Sequence, residues 1–168
     1  MNHVYLVALG SNMRVVGVGP PRQVLASAFR ALEQAGLTLK AVAPTMESAP
    51  VGPSLRRYAN SAALIECDLA PPGLLALLQR IERDFGRTRA QRRGQRWRAR
   101  ALDLDIILWS AGVWTSSSLI IPHREMRKRA FVLGPATAIA APWRDPVTGL
   151  SLKQLNARLA RKKGRPNL

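Results

Sequence analysis

A single cysteine, Cys67, stands in 168 residues. That rules out an internal disulfide and any zinc site built on cysteines, and it suits a reducing compartment. Long apolar runs are missing too. None approaches the roughly 18 residues a membrane span requires, so no transmembrane helix is expected. The opening Met1 to Gly10 has no basic lead-in, and its apolar stretch is short and strand-like, so a signal peptide is not expected and a cytoplasmic location is. Aromatic residues make up 5% of the chain, few for a surface that recognises bases by stacking. Neither a Gly-x-x-x-x-Gly-Lys-Ser/Thr loop nor a Gly-x-Gly-x-x-Gly turn after a strand occurs. A nucleotide would therefore have to be held by side chains and metals. Acidic residues are scarce: 10 against 26 basic ones, for a net charge of +16 and a pI near 11.7. Of those 26, 21 are arginine. Such a surface attracts polyanions of many kinds, so charge alone does not choose the partner.

What is present fits a folded domain. Apolar residues are 47% of the chain and mean hydropathy is −0.06. At 18.4 kDa a single domain over 1–168 is expected, with a basic tail at 161–168. Residues 3–9 read as a strand ended by Gly10-Ser11-Asn12. Residues 23–35 carry apolar side chains at helical spacing, stopped by Gly36. Residues 37–47 read as a second strand and 58–67 as a third. Pro71 and Pro72 suit the first turn of a helix reaching Phe85, with Leu74, Leu77, Leu78, Ile81 and Phe85 on one face. Residues 86–100 hold seven arginines and read as a solvated loop. A fourth strand is expected at 102–108 and a short one at 113–114. Short helices are expected near 124–128 and 131–140, and an amphipathic segment at 151–160. This mixture favours an α+β domain.

The most informative stretch is Arg96 to Leu108. Asp103 and Asp105 flank Leu104, and in a strand alternate side chains share a face, about 6.5 Å apart along the backbone. Paired carboxylates beside arginines suit divalent metals bridging to phosphates, and magnesium takes one or two carboxylates together with substrate phosphates. The plainer reading is a strand with an acidic wet face. Arg87, Arg89, Arg92, Arg93, Arg96, Arg98 and Arg100 supply forked, permanently charged donors suited to a polyphosphate, or else a solvated charge run or RNA-contacting patch. His123, before a basic segment with Arg124, Arg127 and Arg129, could donate to a phosphate oxygen or be merely structural.

Together these segments resemble the 6-hydroxymethyl-7,8-dihydropterin pyrophosphokinase family. The matching pieces, in family order, are Tyr5-Leu-Val-Ala-Leu-Gly-Ser-Asn12, Ser48-Ala-Pro-Val-Gly52, Tyr58-Ala-Asn60, Gln79-Arg-Ile-Glu82, Gly86-Arg87, Arg100-Ala-Leu-Asp-Leu-Asp-Ile-Ile107, Pro122-His123 and Arg129-Ala-Phe131. They cover about residues 4–155. The resemblance implies a ferredoxin-like α+β fold, with a central four-stranded antiparallel sheet flanked by helices. It implies transfer of pyrophosphate from ATP to the pterin hydroxymethyl group, releasing AMP, in folate biosynthesis. Two magnesium ions would be bound by Asp103 and Asp105, with Arg89 and Arg100 also catalytic. Ser48, Pro50, Val51, Tyr58, Asn60 and Phe131 would bind pterin, with Tyr58 and Phe131 sandwiching the ring. Glu82, Arg87, Arg89, Trp97, Arg100, His123 and Arg129 would bind ATP. Four residues depart from the family's usual pattern. Trp97-Arg98-Ala99-Arg100 stands for Trp-Gly-Pro-Arg, Ala49 for a proline, and Arg124 for an aromatic residue.

The expected partners are thus ATP and the pterin, with no membrane and with the chain acting as a monomer. Nucleic acid is the less favoured partner. The rivals are a basic RNA-binding protein using the Arg87–Arg100 loop and tail, and a weakly active paralogue that binds pterin or nucleotide for another purpose.

Overall fold

The computed structural model describes residues 1–48, 57–86 and 101–164. Its centre is an antiparallel sheet in which β1 (His3–Ser11) lies between β4 (Tyr58–Cys67) and β5 (Asp103–Trp109), and β2 (Thr38–Val42) pairs with the far side of β4. A short β3 (Met46–Ser48) also pairs with β4, so the sheet has five strands where four were expected. The expected 37–47 strand is two pieces, broken at Ala43-Pro44-Thr45. Proline has no N–H to give the ladder. At the break the Ser61 hydroxyl donates to the Ala43 carbonyl at 2.8 Å, and the Ala43 N–H reaches the Ala62 carbonyl at 2.8 Å.

Tyr5 to Leu9 of β1 are all buried because both faces of the sheet are covered. On one face lie α1 (Pro21–Gln34), through Val24, Leu25, Ala28 and Leu32, and α2 (Pro71–Gly86), through Leu74, Leu78 and Ile81. Burying each such leucine or isoleucine contributes about 1.5–3 kcal/mol. Pro21 opens α1, where its missing N–H costs nothing. Gly36 follows its end at φ +89, a conformation that lacks a penalty only in glycine. On the other face lie α3 (Ala130–Ala140), through Val132, Leu133 and Ala136, and α4 (Leu152–Lys163), through Leu152 and Leu155.

A bulge fixes which residues of β5 face which layer. Leu6 pairs with Leu108 but Val7 pairs with Ile106, so Ile107 is the extra residue. The strict alternation of the strand breaks there. Leu104 and Ile106 join the α1–α2 layer, whereas Ile107 and Leu108 both join the α3–α4 layer. Beyond β5, β6 (Trp114–Thr115) pairs with β7 (Ile120–Ile121), a partner that no sequence signal announces. The segment near 124–128 is a single 3-10 turn, Met126–Lys128. The last helix runs further than expected, so Arg161, Lys162 and Lys163 are helical rather than tail. Among the described residues no helix is long and apolar enough to cross a membrane.

Candidate active site

Cross-strand pairing brings three of the sequence-predicted residues into rows on one face of the sheet. Asn60 of β4 pairs with Gly10 of β1, and Gly10 pairs with Asp103 of β5. One step along, Ala62 pairs with Ala8 and Ala8 with Asp105. Directly paired residues point to the same side. Asn60, Asp103 and Asp105 therefore share the face that carries α3 and α4. With strands about 4.8 Å apart, Asn60 and Asp103 sit on backbones about 10 Å apart. Gly10 separates them, and a Cβ there would stand 3.4 Å from the Asn60 Oδ1. The small residue thus leaves the space over β1 to the Asn60 amide.

Glu82, expected on the ATP side, reaches β5 from α2. Its Oε1 accepts the Leu104 N–H at 2.7 Å, a bond from α2 to the outer edge of β5 between the two aspartates. The same edge is held again further along, where the His123 N–H donates to the Ile107 carbonyl at 3.0 Å. Glu82 thus contacts backbone that orients the carboxylates.

His123 Nε2 lies 4.0 Å from Asp105 Oδ2. Its Nδ1 accepts the Glu125 N–H at 3.2 Å, so the neutral ring carries its proton on Nε2, on the side of Asp105. Burial pushes the His123 pKa below the ordinary imidazole value; Asp105 opposes this, Arg129 adds to it, and Glu125 opposes it more weakly. At neutral pH the ring is therefore an uncharged N–H donor. Arg129 immediately precedes α3, and its guanidinium carbon sits 5.7 Å from the centre of the Phe131 ring. Phe131 is exposed, 43% of its surface open, as suits a ring that a flat ligand could cover.

The carboxylate pair fits a hard cation. Asp103 and Asp105 are half-buried, and among the described residues no group of three or more His, Cys, Asp or Glu could form a metal cage. Two carboxylates that leave positions open suit magnesium shared with substrate phosphates, and do not suit a structural zinc.

Pro50, Val51, Arg87, Arg89, Trp97 and Arg100 lie outside the described residues, and so does the arginine loop beyond Gly86. Ser48 pairs with Tyr58 through the backbone. Tyr58 borders a cleft of about 550 Å³ with Asn12, Arg14, Arg22, Glu47 and Arg57, beside the start of α1. Asp103, Asp105, His123 and Phe131 are not among the residues that line it. Arg127 is taken out of the site altogether. It donates two hydrogen bonds, of 2.7 and 2.9 Å, to the fully buried Asp145.

The model of the 7,8-dihydro-6-hydroxymethylpterin-pyrophosphokinase family matches residues 6–141. The chain belongs to that family. The 2-amino-4-hydroxy-6-hydroxymethyldihydropteridine pyrophosphokinase of Pseudomonas aeruginosa is 40% identical over 142 residues, covering 83% of this chain and 82% of that one. The enzyme of the same name from Bacillus subtilis is 34% identical over 165 residues, covering 97% and 93%. The fold is shared with the wild-type Plasmodium falciparum HPPK-DHPS solved with pteroate, at a TM-score of 0.70 and 11% identity. That alignment covers 100% of this chain and 44% of the other, so the chain spans less than half of that protein.

Proposed function

We propose that this chain transfers the pyrophosphoryl group of ATP to the hydroxymethyl oxygen of 6-hydroxymethyl-7,8-dihydropterin, releasing AMP, in folate biosynthesis. The observation that carries this reading is the Asn60–Gly10–Asp103 row, in a chain that belongs to the pyrophosphokinase family. An amide suited to a heterocycle edge and a carboxylate suited to a metal lie about 10 Å apart, two strand spacings. A pterin can span that gap, its ring at Asn60 and its hydroxymethyl arm toward the phosphates.

Position and chemistry support the roles of the described residues, and membership of the family supports those of the rest. Asn60 reads the polar edge of the ring, with Ser48, Pro50 and Val51 alongside. Tyr58 and Phe131 cover its two faces, as offset aromatic contacts favour. Asp103 and Asp105 would hold magnesium, two ions in our reading. When bound, the metal neutralises phosphate charge and polarises the attacked phosphorus. The hydroxymethyl oxygen forms a bond to the β-phosphorus, the bond from that phosphorus to the α–β bridging oxygen breaks, AMP leaves, and the hydroxyl proton is lost. The His123 Nε2–H and the guanidinium of Arg129 donate to phosphate oxygens, joined by Arg87, Arg89, Arg100 and Trp97. Glu82 keeps β5 in register at Leu104. Little covalent chemistry is asked of the protein, so positioning and charge neutralisation supply most of the rate. We also read the fold as ferredoxin-like. With β3 set aside, the strand order β2-β4-β1-β5 and the order β-α-β-β-α-β along the chain support that reading.

The test is product analysis. Purified protein with ATP, magnesium and the pterin should yield AMP, and Asp103→Ala and Asp105→Ala should each abolish it while melting like the parent. ADP as the nucleotide product, or an unchanged rate in either variant, would overturn the assignment.

A further inference from the structure

We infer that the outer face of α4 is a docking surface for the phosphate backbone of a nucleic acid, separate from the aspartate rows. At 100° per residue, Lys153, Arg161, Arg158 and Lys162 fall within one arc of about 180° on the helix. Leu152, Leu155 and Leu159 take the opposite side, toward the α3 layer. All four cations are exposed. Beyond Asp145 the chain contains no further acidic residue, and Asp145 itself is occupied by Arg127. Among the described residues no carboxylate pairs with any of the four, and Arg161 reaches only the Ala157 carbonyl of its own helix, at 3.5 Å.

Helix stability does not account for this pattern. Cations in the last turn favour the carbonyl end of the helix dipole, which explains Arg161 to Lys163. Lys153 is in the first turn, where a positive charge opposes the dipole. The capping box there is closed by Ser151 and Gln154, so the usual glutamate that would offset the lysine is replaced by a neutral side chain. The face is also built as a shallow groove of about 290 Å³, lined by Leu150, Lys153, Gln154, Ala157, Arg158 and Arg161.

Charge complementarity selects the occupant. From Lys153 to Lys162 is about 14 Å along the helix, over which duplex nucleic acid carries about eight charges. A membrane-lying helix would present large apolar side chains beside its cations. Here the arc between the charges holds Gln154 and Ala157 instead.

The experiment is a salt titration of the full chain on a fluorescein-labelled DNA duplex of about 20 base pairs, read by anisotropy, where each lost phosphate contact lowers the slope by about 0.9. The triple variant Lys153→Gln, Arg158→Gln, Arg161→Gln should bind more weakly, with the slope of log affinity against log salt reduced by about 3. It should keep its circular dichroism and its AMP-forming turnover, because none of the three residues belongs to the site. Arg158→Lys with Arg161→Lys should retain the parental slope. An unchanged slope in the triple variant would overturn the inference. So would binding to phosphatidylserine vesicles with none to the duplex. The duplex assay contains neither ATP nor pterin, so its outcome is independent of the proposed transfer reaction.

Discussion

Asp145 has no exposed surface, and its carboxylate accepts from Arg127, from the Thr148 hydroxyl at 2.7 Å and from the Val147 N–H at 3.0 Å. Burial alone would raise its pKa, but the hydrogen bonds from Arg127, Thr148 and Val147 bring it below the ordinary carboxylate value. A carboxylate whose folded pKa is depressed stabilises the fold above its unfolded pKa, about 3.9, and that stability is lost as pH falls through the lower folded value. Arg127→Met leaves the charge buried without its main partner, so urea denaturation at pH 7 should show a loss of about 3–5 kcal/mol. As pH falls, Asp145 gains its proton in the variant before it does in the parent, because Arg127 no longer holds its pKa down, so the gap between the two should narrow. A gap that stays the same across that range would contradict this account. In the sequence Arg127 is one of several basic residues after His123, and nothing in its spacing separates it from Arg129. Its partner lies 18 positions further on, and only packing brings the two together. By contrast, the side shared by Asp103 and Asp105 is legible, because strand alternation dictates it locally.

Among the elements, β4, α1 and α2 stand close to where periodicity puts them, since each has one clear buried stripe or strong stops such as Gly36 and Pro71. The elements that depart from expectation lack such signals. Pro44 sits inside an otherwise continuous β-like run, and β7 is two residues long. The Ile107 bulge turns two adjacent residues toward one layer, which no period-two pattern anticipates. Glu82 is legible as a functional candidate only by resemblance, and its carboxylate reaches the backbone of β5. Glu82→Ala leaves the Leu104 N–H without its acceptor at the sheet edge, which should cost about 1–3 kcal/mol in denaturant unfolding. It should also slow turnover by loosening the strand that carries both aspartates. Glu82→Gln keeps an acceptor oxygen and should recover most of the stability. A Gln variant as unstable as the Ala variant would mean the negative charge, not the bond to Leu104, matters.

At the scale of the whole molecule, two features of the sequence act together. The surplus of arginine gives a field that draws ATP and other polyanions, and the sheet sets two of its few acids where a cation can lie between them and that field. Composition announces the field but not where it is used, and the α4 arc emerges only because residues 161–163 are helical. Nor can composition bring Asn60 to Asp103, which are far apart in sequence and which pair with opposite sides of Gly10. The most direct test of the central claim is electron paramagnetic resonance of Mn²⁺ titrated into the protein with a non-hydrolysable ATP analogue. The parent should hold Mn²⁺ tightly only when the analogue is present, and Asp103→Asn and Asp105→Asn should each lose it. Equal Mn²⁺ binding by parent and variants would contradict the assignment of those two carboxylates.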